Sequence, residues 1–91
     1  MMITVKRLVL DVLKPHQPDA LAFCKELAQL GMDYRVSLNV DEMDENTQTL
    51  QLEIRGQSID PGPIEEAIAR MGASVHSVDQ VEVLNEPDEE S

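Results

Sequence analysis

The side chains best suited to hold a cation are concentrated in one short segment, residues 41–45, which reads DEMDE. Carboxylate oxygens are the ligands that calcium and magnesium prefer, and an added imidazole would suit manganese or zinc. Two histidines, His16 and His76, could supply that imidazole. The longer stretch DEMDENTQTLQL is not an EF-hand loop, because it lacks the central glycine and the glutamate at the twelfth position. We interpret the segment either as a cation site or as a charged hairpin tip exposed to water.

The sequence offers little support for catalysis. It contains no G-x-S-x-G, no H-E-x-x-H and no glycine-rich phosphate loop. Its single cysteine, Cys24, cannot form an internal disulfide and falls on an apolar helical stripe, so we expect a small buried hydrophobic residue there. With one Tyr, one Phe and no Trp, stacking on nucleobases is nearly excluded. The chain is predicted not to be an enzyme.

Four strands are predicted from alternating apolar and polar residues. The first covers residues 2–13, which are rich in β-branched side chains. Residues 36–40 and 50–54 alternate strictly on both sides of a short polar loop, which is a strong signal for a hairpin. Residues 73–84 form the last strand, with a less regular alternation.

Two helices are predicted between these strands. The first has an apolar stripe at three- and four-residue spacing, formed by Ala20, Phe23, Cys24, Leu27 and Leu30. Pro18 is expected in its first turn, where the missing N–H costs nothing. Asp60 is expected to cap the second helix, with Pro61 in its first turn. Gly31 and Gly72 are expected to end the two helices in the left-handed conformation.

The order strand–helix–strand–strand–helix–strand points to an α+β fold of the ferredoxin-like type. Both crossovers should be right-handed, which places the two helices on the same face of a four-stranded antiparallel sheet with the order 4-1-3-2. The opposite face is then polar and uncovered. Residues 1–84 form one domain in this scheme, and residues 85–91 form an acidic, flexible C-terminal tail.

This topology gathers distant groups at one end of the sheet, the upper end, where the first strand finishes. The hairpin tip and both histidines are expected there. The predicted metal ligands, for calcium or magnesium, are Asp11, Asp41 and Asp44. The predicted ligand-binding residues are His16, His76, Ser77 and Asp79. The simpler alternative for the uncovered face is a set of cross-strand ion pairs around Arg7 and Arg55.

The charge balance excludes several classes of partner. Eighteen acidic residues against seven basic ones leave a formal charge of −11. Binding to nucleic acids and to anionic membranes depends on Lys and Arg, so we expect neither partner. No stretch approaches 18 consecutive apolar residues, and the first residues do not resemble a signal peptide. We therefore expect a cytoplasmic protein.

Three stretches are similar to one known family: RLVLDVLKPHQP, VSLNVDEMDENTQTLQLEIRG and VHSVDQV. Over residues 2–84 the chain resembles the small archaeal proteins of domain-of-unknown-function family 211. The resemblance implies a ferredoxin-like subunit in closed, ring-like homo-oligomers, with no established activity and no defined catalytic residues. The positions that match its signature segments are Asp11, His16, His76, Ser77 and Asp79.

Three functions remain open at this point. The first, which we favour, is a homo-oligomeric, ring-like binding or regulatory protein that holds divalent cations through surface carboxylates. A half-covered sheet with free edges agrees with such an assembly, because ring closure removes the edges. The second is a metabolite-sensing regulatory domain with its ligand between subunits. The third is a small enzyme that uses His16 or His76 with Asp11.

Overall fold

The computed structural model describes residues 2–87 and has the six predicted elements in the predicted order. They are β1 (Met2–Pro15), α1 (Ala20–Ala28), β2 (Arg35–Met43), β3 (Thr47–Ile59), α2 (Pro61–Arg70) and β4 (Ser74–Glu86). The strands form one antiparallel sheet in the order β2-β3-β1-β4, which confirms the predicted order. β4 continues to Glu86, so the start of the predicted tail belongs to the sheet, while residues 88–91 lie outside the described residues.

Both helices pack on the same face of the sheet, as predicted. One continuous cluster of buried side chains contains Leu8, Leu10 and Val12 of β1, Leu50, Leu52 and Ile54 of β3, Phe23 and Leu27 of α1, and Ile64, Ala67 and Ile68 of α2. Complete burial of one such Leu or Ile stabilises the fold by about 1.5–3 kcal/mol. Truncation of the central Leu52 to alanine should therefore cost about 2–5 kcal/mol, since it also leaves a cavity.

Each helix starts at an aspartate whose carboxylate accepts a hydrogen bond from the first turn. Asp19 accepts from the backbone N–H of Ala22 at 2.9 Å, and Asp60 accepts from that of Gly62 at 3.4 Å. The predicted cap of α2 is confirmed. The position expected for Pro18 was wrong, because it lies before the cap of α1 rather than in its first turn.

Gly31 and Gly72, which follow the two helices, have different structural roles. Gly72 has a φ of 82°, the left-handed conformation expected of a helix terminator. Gly31 does not have a positive φ, so the prediction was wrong for this residue. A β-carbon on Gly31 would lie 2.2 Å from the ring of Tyr34, and the residue is therefore required by close packing.

The sheet is much longer than the helices that cover it. The molecule measures 56 × 22 × 17 Å. The 10 residues of α2 span roughly 15 Å, whereas the 13 residues of β4 span roughly 43 Å. Much of β4 consequently extends past its helical cover.

Neither helix of the described chain is long and apolar enough to cross a membrane.

Candidate functional site on the open sheet face

The open face is the side of the sheet opposite the helices, and a cavity of about 330 Å³ lies at its upper end. It is lined by Asp11, Val12, Leu13, Glu42, Thr49 and His76. Asp11 and Leu13 alternate with core residues of β1 and therefore point to the open face. The cavity is at the small end of the range for ligand pockets. It combines two carboxylates, one imidazole and an apolar side chain, which suits a small ligand with a positive centre.

A β-bulge in β2 places Glu42 in this cavity. Val40 pairs with Leu50 and Glu42 pairs with Thr49, so Asp41 is an extra residue without a partner across the ladder. Such a bulge shifts the alternation of the strand by one residue. Strict alternation had favoured Asp41 over Glu42 for the open face, and sequence reasoning therefore missed Glu42. It also missed Thr49, the residue of β3 that pairs with Glu42.

A second bulge, in β4, places His76 beside Asp11. Asp11 pairs with Ser77 and Val12 pairs with Val75, which leaves His76 as the extra residue between them. Bulges commonly redirect a side chain next to a functional site. The less regular alternation of residues 73–84 was the one signal of this bulge in the sequence. Asp11 and His76 are thus the two predicted site residues that line the cavity.

His16 contacts the hairpin tip rather than the cavity. Its Nε2–H donates to the backbone carbonyl of Asp44 at 2.8 Å. The Asp44 carboxylate accepts hydrogen bonds from the N–H groups of Asn46, at 2.9 Å, and Thr47, at 2.8 Å. These bonds favour the charged form and hold the pKa of Asp44 below its ordinary value. Asp44 therefore works as a turn-forming residue of the hairpin.

The other predicted residues do not join either group. Ser77 donates through its Oγ to the carboxylate of Asp79 at 2.7 Å, and neither residue lines the cavity. The predicted metal ligands Asp11, Asp41 and Asp44 do not form a cluster. Within residues 2–87, no group of three or more His, Cys, Asp or Glu side chains is arranged to hold a metal ion. Any ion bound by Asp11 would therefore need water among its ligands.

Sequence reasoning also missed Lys14, which is completely buried behind the upper end of the sheet. Its Nζ donates to the backbone carbonyls of Pro15, at 2.8 Å, and Pro18, and lies 5.9 Å from the centre of the Phe23 ring. Burial lowers the pKa of Lys14, and the negative charge of Asp19 partly opposes that change. The two bonds hold the loop that carries His16. The core residues of β1 occupy every second position up to Val12. Continuing this alternation to Lys14 would have placed it on the core side.

The predicted ion pairs on the open face are present around Glu53. Its Oε2 accepts hydrogen bonds from the Nε of Arg7 and, at 3.3 Å, from the Nε of Arg55. Its Oε1 accepts from Ser37 at 3.2 Å. The bond from Arg7 is the main reason that the pKa of Glu53 lies below its ordinary value. Val9, next to Glu53 in the ladder, is nearly buried beneath these polar side chains.

Comparison with known proteins assigns the chain to a family. The model of the DUF211 family, described as uncharacterized ArCR proteins, matches residues 6–86. The "Uncharacterized protein MJ0319" of Methanocaldococcus jannaschii is 35% identical over 77 residues, which are 85% of this chain and 79% of that protein. The name of this relative states no activity. Because the family model covers nearly the whole chain, the protein belongs to the DUF211 family.

Proposed function

We propose that this protein is a subunit of a closed homo-oligomer with a binding role, and that edge strand β4 forms the contact between subunits. The observation that carries the proposal is a row of half-exposed valines on β4, Val78, Val81 and Val83. They pair with Leu10, Leu8 and Val5 of β1 and so lie on the helix side of the sheet. A long apolar edge invites pairing with another chain.

The strand directions allow a second copy to continue the sheet. Neighbouring strands in the order β2-β3-β1-β4 are antiparallel, so β2 and β4 run in opposite directions. β4 of one subunit could therefore pair antiparallel with β2 of the next, while both open faces stay on the same side. This contact joins two different edges, and repeated copies close into a ring when the rotation between them is right. Sheet twist supplies such a rotation.

Measurement of the mass in solution tests this assembly. The wild-type chain should elute from size exclusion, with light scattering, at a multiple of 10.2 kDa. Val81→Lys should shift the mass to that of one chain, because a charge pointing from an edge strand opposes pairing. Leu21→Lys on α1 is the matched control, since Leu21 is also exposed and lies away from β4. A monomeric wild type, or the same shift for Leu21→Lys, would contradict the proposal.

We propose as a second candidate that the cavity binds a small ligand with a positive centre, either an ammonium group or a divalent cation that keeps water among its ligands. It is favoured by the presence of Asp11, Glu42 and His76 around one cavity. Since β4 supplies His76 and also forms the proposed contact, a neighbouring subunit would lie close to this cavity. Such a position agrees with a ligand held between subunits, as in a metabolite-sensing domain.

Titration calorimetry distinguishes the two kinds of ligand. Calcium, magnesium and a short diamine are titrated separately into the wild type and into Asp11→Asn. Loss of one carboxylate should weaken the binding of the true ligand class by roughly tenfold, which corresponds to about 1.4 kcal/mol. Asp41→Asn is the control, because it removes the same charge as Asp11→Asn at a residue next to Glu42 that does not line the cavity. Absence of heat with all three probes, or equal losses in both variants, would remove this candidate.

A further inference from the structure

Three arginines form a row across the open face, although the protein has only seven basic residues and a charge of −11. Arg35 of β2 pairs with Arg55 of β3, and Arg55 pairs with Arg7 of β1. Residues directly opposite in a ladder point to the same face. The next residues along β1 and β3, Leu8 and Ile54, are in the core, so the row faces the open side. We call these three residues the arginine row.

The spacing of the arginine row concentrates positive charge. Neighbouring strands lie about 4.8 Å apart, so the three side chains start within roughly 10 Å of each other. Like charges placed directly opposite in a sheet are destabilising. Such a row is therefore unfavourable for the fold alone, and it is compensated within the described residues mainly by Glu53.

Glu53 neutralises only part of the row. It accepts from the Nε atoms of Arg7 and Arg55, and within residues 2–87 the terminal Nη groups of both arginines have no hydrogen-bond partner. The side chain of Arg35 is exposed and makes no hydrogen bond or ion pair with any residue between 2 and 87. Glu82, which pairs with Arg7 on β4, forms no ion pair with the row in the described part of the chain. Among the residues that the structure describes, several guanidinium donors on this one surface are thus left without a partner.

We infer that the arginine row binds the oxyanion group of a small anionic molecule, a phosphate or a carboxylate. The guanidinium fork matches the geometry of both groups and donates two parallel hydrogen bonds to them. The acidic surface around the row repels long polyanions, so nucleic acids do not fit this site. A compact ligand with two or more negative charges fits best, because it can contact Arg35 and Arg55 together.

Titration of the whole protein with inorganic phosphate and with citrate tests the inference. The experiment uses low salt, and sodium chloride of equal ionic strength serves as the blank. Arg35→Gln should weaken the binding of the better anion by roughly five- to tenfold, and added salt should weaken it further. Arg70→Gln is the matched control, because Arg70 is also exposed but lies in the last turn of α2. The affinities for phosphate and citrate show which oxyanion class is preferred.

A third variant separates anion binding from a general effect of charge. Glu53→Gln removes the group that competes for Arg7 and Arg55, so it should strengthen anion binding severalfold. The inference is overturned if neither anion binds at millimolar concentration, or if Arg70→Gln weakens binding as much as Arg35→Gln. It is also overturned if Arg35→Gln changes the mass of the assembly and leaves anion binding intact, since the row would then contact another copy.

Discussion

The two ends of the open face differ in charge and in the strand pairing that forms them. At the upper end, bulges in β2 and β4 bring Glu42 and His76 into one cavity with Asp11. At the lower end of the face, regular pairing of β2 with β3 places Arg35 opposite Arg55. The acidic cavity and the arginine row are separated on β1 by the step of four positions from Arg7 to Asp11, which spans roughly 13 Å.

This difference shows two ways in which one sheet can create a site. Regular pairing keeps opposite residues of neighbouring strands on one face, and where each strand carries an arginine at the paired position the result is a row of like charges. A bulge adds a residue to one strand, bends it and redirects its side chain, and the result is a concave group of unlike residues. The first arrangement suits a small anion bound at the surface, whereas the second suits a small ligand that is partly enclosed.

Among changes confined to one end of the sheet, the largest effect is expected at the upper end. Lys14→Ala should lower the free energy of unfolding by about 2–4 kcal/mol, because it leaves a cavity and removes the donors to the Pro15 and Pro18 carbonyls. Lys14→Met keeps most of the packing and should lose less, about 1–2 kcal/mol. Urea unfolding at one fixed protein concentration measures both values.

Hydrogen exchange would show where the loss from Lys14→Ala occurs. The amides of His16 and Thr47 should exchange faster, because the loop that Lys14 holds also contacts the hairpin tip. Phosphate or citrate binding at the arginine row should be unchanged. Equal stability of Lys14→Ala and wild type, or equal loss of anion binding, would contradict the separation of the two ends.

The fold could be predicted from the sequence because its signals are local and agree with each other. Strict alternation in residues 36–40 and 50–54, and the breakers before each helix, fixed the element order, and crossover handedness then fixed the strand order. The cavity could not be predicted in full, since a bulge changes the facing of every later residue in its strand. Lys14 was missed because lysine is almost never buried unless it is paired.

A smaller effect is expected at the arginine row from Glu53→Gln. Glu53 is partly buried and accepts from two arginines, so its replacement should lower the free energy of unfolding by about 1 kcal/mol at pH 7. The pKa of Glu53 is lowered in the folded state, below its ordinary value of 4.5. Its stabilisation is therefore complete above that value and is lost as the pH falls through the folded-state pKa.

The predicted loss of stabilisation in acid is tested by measuring the free energy of unfolding of wild type and Glu53→Gln across the pH range. The two free energies should differ at neutral pH and converge in acid, since a protonated Glu53 no longer attracts the arginines. At pH 7 the substitution should leave binding of the cavity ligand unchanged, and this comparison at one pH is the internal control. A constant difference at all pH values would show that the loss comes from packing rather than from charge.

The smallest effect is expected at the hairpin tip from Asp44→Ala. The carboxylate is fully exposed, and its bonds to Asn46 and Thr47 shape the turn without adding buried area. The melting temperature should fall slightly, while exchange of the Asn46 and Thr47 amides should accelerate. Because these bonds lower the pKa of Asp44, wild type should lose the same protection as the pH falls below 3.8. If Asp44→Ala instead abolished calcium binding with the turn intact, the hairpin tip would be a cation site and the acidic cavity would not.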